Sequence, residues 1–288
     1  MYKGIDVSDN QGTINWDQVK EDGIKFAILR SVRGSGKTDY QFKNNVTGCR
    51  AVDMPFDIYK YSYADTITKA SKEAVDVVKL LKQNDIMCTV WWDMEDSSLR
   101  NMGKVALTAL INTAKTVIEA GGYQFGIYCN QDWYRNVLDA RSFDCPFWVA
   151  RYPSNDRMSV SEMPAVRYKP SVTQELFGWQ YSSKGNVSGI VGNVDMNIIY
   201  VDVNDDNSAT EPSKPTQGNP HQEPTYCLYR GRLKQSKEYV KWLQHYLKIK
   251  EDGIFGKDTD KELKKYQRSH GLAVDGKCGA KTVGKLKQ

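Results

Sequence analysis

Histidine is absent from residues 1–205; the three present, His221, His245 and His270, all stand in the last quarter of the 288-residue chain. That absence excludes Ser-His-Asp and Cys-His nucleophilic catalysis from the long N-terminal region, and with them zinc chemistry built on histidine ligands. Cysteine is sparse and unpatterned: Cys49, Cys88, Cys129, Cys145, Cys227 and Cys278 show no C-x-x-C spacing. In a chain of this size made in a reducing compartment they read as free thiols, with Cys88 and Cys129 as small core residues inside apolar runs. A Cys227–Cys278 disulfide is left open. No apolar stretch approaches the roughly 20 residues of a membrane span, so no stable membrane association is expected. The start, MYKGIDVSDNQG, lacks a basic n-region, an apolar h-region and a cleavage site. It reads as a first strand without a classical secretory signal.

Charge and proline are unevenly distributed. Residues 206–225, DNSATEPSKPTQGNPHQEPT, hold four of the nine prolines and almost nothing apolar, the composition of an extended linker. Before it, 23 Lys and Arg face 25 Asp and Glu; after it, 16 face seven, a net +9 over 63 residues. The expected organisation is a large domain over 1–205, a linker over 206–225 and a small basic domain over 226–288.

In the large region, short runs rich in β-branched and aromatic residues alternate with helical patterns. KGIDVS, KFAILR, FDIYKY, CTVWWD, FGIYCN, FWVARY, FGWQYS and VDMNIIYV read as strands. DYQFKNNVTGCRAV, TITKASKEAVDVVKLLKQ and KVALTALINTAKTVIEAGG carry helical spacing, the last closing on Gly-Gly. This alternation predicts an α/β fold with a mostly parallel sheet, and eight strands suggest a barrel. Functional side chains then gather where strands end.

Acids stand at such places. The run MCTVWWDMEDSS drives from two tryptophans into Asp93, Glu95 and Asp96. Alternate residues of a strand share a face, so Trp91, Asp93 and Glu95 project one way while Trp92 and Met94 pack the other. Asp6 ends the first strand, and Asp195 lies in the last. Taken singly, Asp6 and Asp195 read better as cap or turn residues, and Asp93-x-Glu95 reads equally well as a strand running into a helix cap. Four together in a region without histidine point to carboxylate chemistry. Aromatics at strand ends (Tyr59, Tyr61, Tyr63, Trp91, Trp148, Trp179 and Tyr181) suit stacking on the apolar faces of sugars. By contrast, RSVRGSGKTDY imitates a phosphate-binding loop, but the spacing G-x-x-x-x-G-K-[ST] demands glycine where Ser31 stands. A flexible basic loop is the better reading.

The stretches GIDVSDNQGTINW, KFAILR, PFDIYKYSYA, WWDMED, GIYCN, FWVARY and WQYSS…VDMN, taken in order, resemble the family 25 glycoside hydrolases, the N-acetylmuramidases of phages and bacteria, over residues 1 to about 203. The resemblance implies an irregular β/α barrel of eight strands and fewer helices. It also implies hydrolysis of the β-1,4 bond between N-acetylmuramic acid and N-acetylglucosamine in peptidoglycan, a lysozyme-type activity. Glu95 matches the proton donor, and Asp6, Asp93 and Asp195 match the other acids. Tyr59, Tyr61, Trp91, Trp148, Trp179 and Tyr181 are candidate sugar contacts. Lys60 occupies a place where many members have histidine, which puts contacts near Tyr59 in question. Glycoside cleavage needs an acid holding its proton at neutral pH and a negative group facing the oxocarbenium ion. Asp93 would be either a covalent nucleophile or the group orienting a substrate acetamido nucleophile. No metal and no cofactor are implied.

The tail carries a repeat: DGIFGKDTDKEL and DGKCGAKTVGKL share Asp-Gly, a later Gly, Thr and Leu at an offset of 23 residues. Each reads as a turn followed by a helix; with EYVKWLQHYLKI ahead of them, a small three-helix all-α domain is expected. This resembles the peptidoglycan-binding type 1 domain. Its positive charge suits an anionic partner, peptidoglycan and anionic wall polymers rather than nucleic acid. The expected protein is thus a monomeric phage-type endolysin, made in the host cytoplasm, released through a holin-type lesion and acting on the wall. A bacterial autolysin of the same chemistry and a non-catalytic peptidoglycan binder are the alternatives.

Overall fold

Strand side chains alternate between two faces, so the order and register of the strands decide which residues meet. The computed structural model describes residues 1–86, 88–200, 219–221, 223–224, 228–229 and 236–287. The chain forms two compact units, Met1–Asp202 and Val203–Gln288.

In the first unit all eight expected strands are present: β1 (Tyr2–Val7), β2 (Phe26–Arg30), β3 (Phe56–Tyr61), β4 (Thr89–Asp93), β5 (Gln124–Asn130), β6 (Phe147–Ala150), β7 (Leu176–Gly185) and β8 (Val194–Ile199). They close into a barrel in chain order. Neighbours from β1 to β7 run parallel, and β8 closes the ring antiparallel to both β7 and β1. The helices are α1 (Trp16–Glu21), α2 (Phe42–Ala51), α3 (Ile67–Gln83) and α4 (Lys104–Ala120). Thr66 caps α3 by accepting from the Lys69 amide, and Gly122 at φ 95° lets the chain leave α4 towards β5. The short α1 was not expected, because six residues are too few to display a helical period. No α-helix follows β5, β6 or β7 among the described residues, which makes the barrel irregular.

Two apolar layers hold the barrel. Outside it, Ile5, Ile58, Trp92 and Ile127 pack with helix residues such as Val77 and Ile111. Inside, an aromatic plug fills the lower barrel: Trp91 lies 4.2 Å from Phe177 and 6.3 Å from Trp148, ring centre to ring centre, and Phe26 lies 5.9 Å from Phe177. The paired tryptophans thus split between the layers, Trp91 inward and Trp92 outward. Trp91 fits because β5 presents a glycine opposite it: a Cβ on Gly126 would stand 2.3 Å from the Trp91 ring. Gly126→Ala therefore forces the plug to shift. We expect a loss of about 1–3 kcal/mol, the usual range for overpacking, read as a lower urea midpoint at unchanged m-value.

The second unit contains α5 (Lys237–Leu247), α6 (Lys257–Ser269) and α7 (Ala280–Leu286) around a core that includes Trp242, Leu243 and Leu263. It also has an antiparallel pair, β9 (Leu228–Tyr229) with β10 (Lys277–Cys278), that the expected all-α reading lacked. Two-residue strands carry too little alternation to be seen in sequence. The repeat has a structural cause. Gln244 donates to Asp252 and the Ile254 carbonyl while accepting from the Gly253 amide; Gln267 does the same with Asp275, Lys277 and Gly276. Each Asp-Gly turn is thus pinned by a buried glutamine of the preceding helix. Asn219 is buried and donates to the Trp242 carbonyl, while His221 bridges Glu238 and Glu251. Residues 219–221 therefore pack with the helices, although their composition had assigned them to the linker. Most of that linker and Cys227, on which the open question of a Cys227–Cys278 disulfide turns, lie outside the described residues. Cys49, Cys88, Cys129 and Cys145 are buried free thiols.

Candidate active site

The four acids converge because three strands present them at one end of the barrel. Asp6 on β1 pairs directly with Asp195 on β8 in the antiparallel register. Asp93 ends β4 opposite Tyr61 of β3 and Tyr128 of β5, and Glu95 lies two residues further on. All four line one cleft of about 580 Å³, together with Asp9, Arg30, Tyr59, Tyr61, Tyr63, Tyr128, Trp148 and Gln180. A second hollow of about 700 Å³, between α1, α2 and the β7–β8 connection, holds only one carboxylate, Asp17, so acid–base chemistry belongs to the smaller cleft.

Four carboxyl groups this close and this dry do not all ionise. Burial, then the charges of Asp6 and Asp96, push Glu95 up from 4.5 to about 7. Burial and the neighbouring Asp6 raise Asp195 to about 9, so it keeps its proton and hydrogen-bonds to Asp6. Asp6 is also raised by burial, but amide donors from Asn197 (2.7 Å) and Gln180 (2.9 Å) pull it back. Of the pair, Asp6 is therefore the more readily ionised. Asp93 is pushed well up by burial and by Glu95 and Asp6, with Lys60 opposing; its Oδ1 is buried without a hydrogen-bond partner.

The aromatic candidates separate by strand phase. Tyr59 and Tyr61 line the cleft, with Tyr63 4.7 Å from Tyr61. Trp148 forms part of the floor, its indole donating to Asn197 Oδ1 at 2.7 Å. Three others lie elsewhere and correct the sequence reading. Trp91 is fully buried in the plug below the cleft and donates to Asp57 at 3.0 Å. Trp179 and Tyr181 flank Gln180 on β7 and face the outer apolar layer, where Trp179 donates to the Arg151 carbonyl and Tyr181 accepts from Lys3. Alternation puts Gln180, not its aromatic neighbours, over the barrel interior. Lys60 likewise faces outward, pairing with Glu73 of α3 at 3.4 Å, and does not enter the cleft.

Several site residues escaped the sequence reading. Gln180 accepts from the Tyr128 hydroxyl at 2.7 Å and from Tyr152, and donates to Asp6. Asn197 accepts from Trp148 and donates to Asp6. The available signal was spacing: Asn197 stands two residues after Asp195 on the same strand face. Asp57, buried beneath the cleft and raised to about 7 by burial, holds the Trp91 indole and the Thr89 amide. The stretch read as a flexible loop is a hydrogen-bonded hairpin, with Val32 bridging Thr38 and the Arg33 amide donating to the Lys37 carbonyl. No group of three or more His, Cys, Asp or Glu among the described residues is arranged to hold a metal.

Comparisons with known proteins agree with this geometry. The family model "Glycosyl hydrolases family 25" matches residues 5–190, and a peptidoglycan binding domain model matches residues 232–286. An autolytic lysozyme of Clostridium acetobutylicum is 24% identical over 292 residues, 99% of this chain and 79% of that one. Lysozyme M1 of Streptomyces globisporus is 26% identical over 211 residues, 68% of this chain and 66% of that one. The solved catalytic domain of the endolysin ply40, from bacteriophage P40 of Listeria monocytogenes, superposes with a TM-score of 0.58 at 28% identity, covering 70% of this chain and 94% of that one. With the family model spanning well over half its residues and the acids gathered at one barrel mouth, the chain belongs to family 25 of the glycosyl hydrolases.

Proposed function

We propose that the first unit is an N-acetylmuramidase of the lysozyme type, cleaving the β-1,4 bond between N-acetylmuramic acid and N-acetylglucosamine, and that the second holds the enzyme on the wall. The observation that carries this reading is the gathering of Asp6, Asp93, Glu95 and Asp195 in one cleft, where burial and neighbouring charge push Glu95 up to about 7. A glutamic acid at that value is still substantially protonated at neutral pH and can give its proton to the leaving glycosidic oxygen. Asp93 supplies the opposing negative charge. Burial and the neighbouring acids disfavour its anion, and positive charge developing on the sugar offsets that cost, so its stabilisation is largest in the transition state. Asp6, fixed by amide donors from Gln180 and Asn197 and by its hydrogen bond with Asp195, is the more readily ionised of that pair and stands near both. Tyr59, Tyr61 and Tyr63 offer ring faces to the sugars.

The basic second unit would add avidity, since tethering a weak wall binder raises the local substrate concentration at the cleft. Relatives named as an autolytic lysozyme and as a phage endolysin fit the same wall-cleaving reading. A digest of purified peptidoglycan tests it: reduction of the products should label muramic acid at the new ends. Labelled glucosamine ends would identify a glucosaminidase instead, and new amines without reducing ends would identify an amidase or peptidase.

A further inference from the structure

The two arginines of the cleft are not equivalent. Arg30 is neutralised, its guanidinium bound by Asp9 and, at 2.7 Å, by Asp39. Arg33 lines the same cleft and forms no ion pair among the described residues. Its Nε is buried without a hydrogen-bond partner. Burying a charged donor without an acceptor is costly unless a ligand supplies one.

Arg33 is also held in place. Its guanidinium carbon stacks 3.7 Å above the centre of the Tyr40 ring. The hairpin that carries it is closed by the Arg33–Lys37 and Gly36–Arg33 backbone bonds, 2.8 and 2.9 Å. Next to it, Gly34 lies so close to Tyr63 that a Cβ would stand 2.6 Å from the ring. The arginine is thereby fixed at the edge of the tyrosine wall, where the glycan would stack.

Resting on the muramidase reading, we infer that Arg33 recognises a carboxylate of the stem peptide carried by the muramic acid residue in the cleft. The N-acetylated sugars of such a strand are neutral, so the anionic groups on it that a guanidinium can pair with are stem-peptide carboxylates. Planar guanidinium–carboxylate pairing is bidentate and charge-assisted. It discriminates a free carboxylate from a carboxamide, which leaves a donor facing a donor. In a cleft dominated by acids, where Arg30 is already paired with Asp9 and Asp39, Arg33 gives the peptide-bearing sugar a defined orientation.

The test uses two probes: a tetrasaccharide of alternating N-acetylglucosamine and N-acetylmuramic acid bearing stem peptides, and the same compound with its carboxylates converted to carboxamides. Binding of each is measured by calorimetry to the full chain as Glu95→Gln and as Glu95→Gln/Arg33→Gln, so that no bond is cut. The first protein should prefer the charged probe about tenfold, and the second should bind both alike. Arg33→Lys, which keeps the charge but not the fork, should retain part of the preference. A preference that persists without Arg33, or that is missing with it, overturns the inference. Reducing-end release by the wild-type chain is scored separately: its failure would sink the muramidase reading and leave the Arg33 result standing.

Discussion

Replacing Glu95 with glutamine should lower kcat on peptidoglycan by about 10²–10⁴-fold, the range for losing a general acid, while the protein becomes more stable above neutral pH. Both effects have one cause. Glu95 is raised from 4.5 to about 7, first by burial and then by Asp6 and Asp96. A carboxyl raised in the folded state contributes most below its unfolded value and loses that contribution as pH climbs through its folded value. The wild type should therefore lose stability between about pH 4.5 and 7, by at most about 3.5 kcal/mol at roughly 1.4 kcal/mol per pK unit. Glutamine cannot ionise, so the variant and wild type should unfold alike at pH 4 and diverge at pH 8. Wild-type activity should also fall as pH rises through about 7, where the proton to be donated is lost. Parallel urea titrations and pH–rate profiles check this. Equal stability of the two proteins at both pH values would mean that Glu95 is not desolvated, and the proton-donor assignment would lose its physical basis.

Asp93→Asn should cost about 10²–10³-fold in kcat, the scale seen when one preorganised group facing transition-state charge is removed. KM should stay within a few-fold, because the isosteric amide keeps the cleft's shape. The same variant separates the two roles open to Asp93. On a substrate whose 2-acetamido group is replaced by hydroxyl, an enzyme that uses Asp93 to orient that group has already lost its nucleophile. Asp93→Asn then adds nothing further, and the two losses are strongly non-additive. If Asp93 attacks the sugar itself, the losses multiply. A fall in kcat of less than tenfold on the natural substrate would remove Asp93 from the reaction altogether.

Much of this protein was legible in its residues. All eight strands coincide with runs of β-branched and aromatic residues, and α2, α3 and α4 with helical periods. Strand-end position drew attention to Asp6, Asp93 and Glu95, and the family resemblance added Asp195, which reaches the same mouth from the start of β8 because that strand runs antiparallel. The limits of that reading follow from its method. Trp179 and Tyr181 looked like sugar contacts since aromatics at strand ends so often are, but inward or outward is a question of phase, and one residue of offset reverses it. Only the pairing of Gln180 with Asn197, across β7 and β8, fixes that phase.

By itself the sequence determined the barrel, the acid set and the absence of a histidine route, since these depend on local pattern and residue type. Tertiary structure decided the protonation of the acids, the burial of Trp91 beneath the cleft and the difference between Arg30 and Arg33. Each of those depends on what desolvates a group and what charge lies beside it, and those neighbours come from strands and loops distant in the chain.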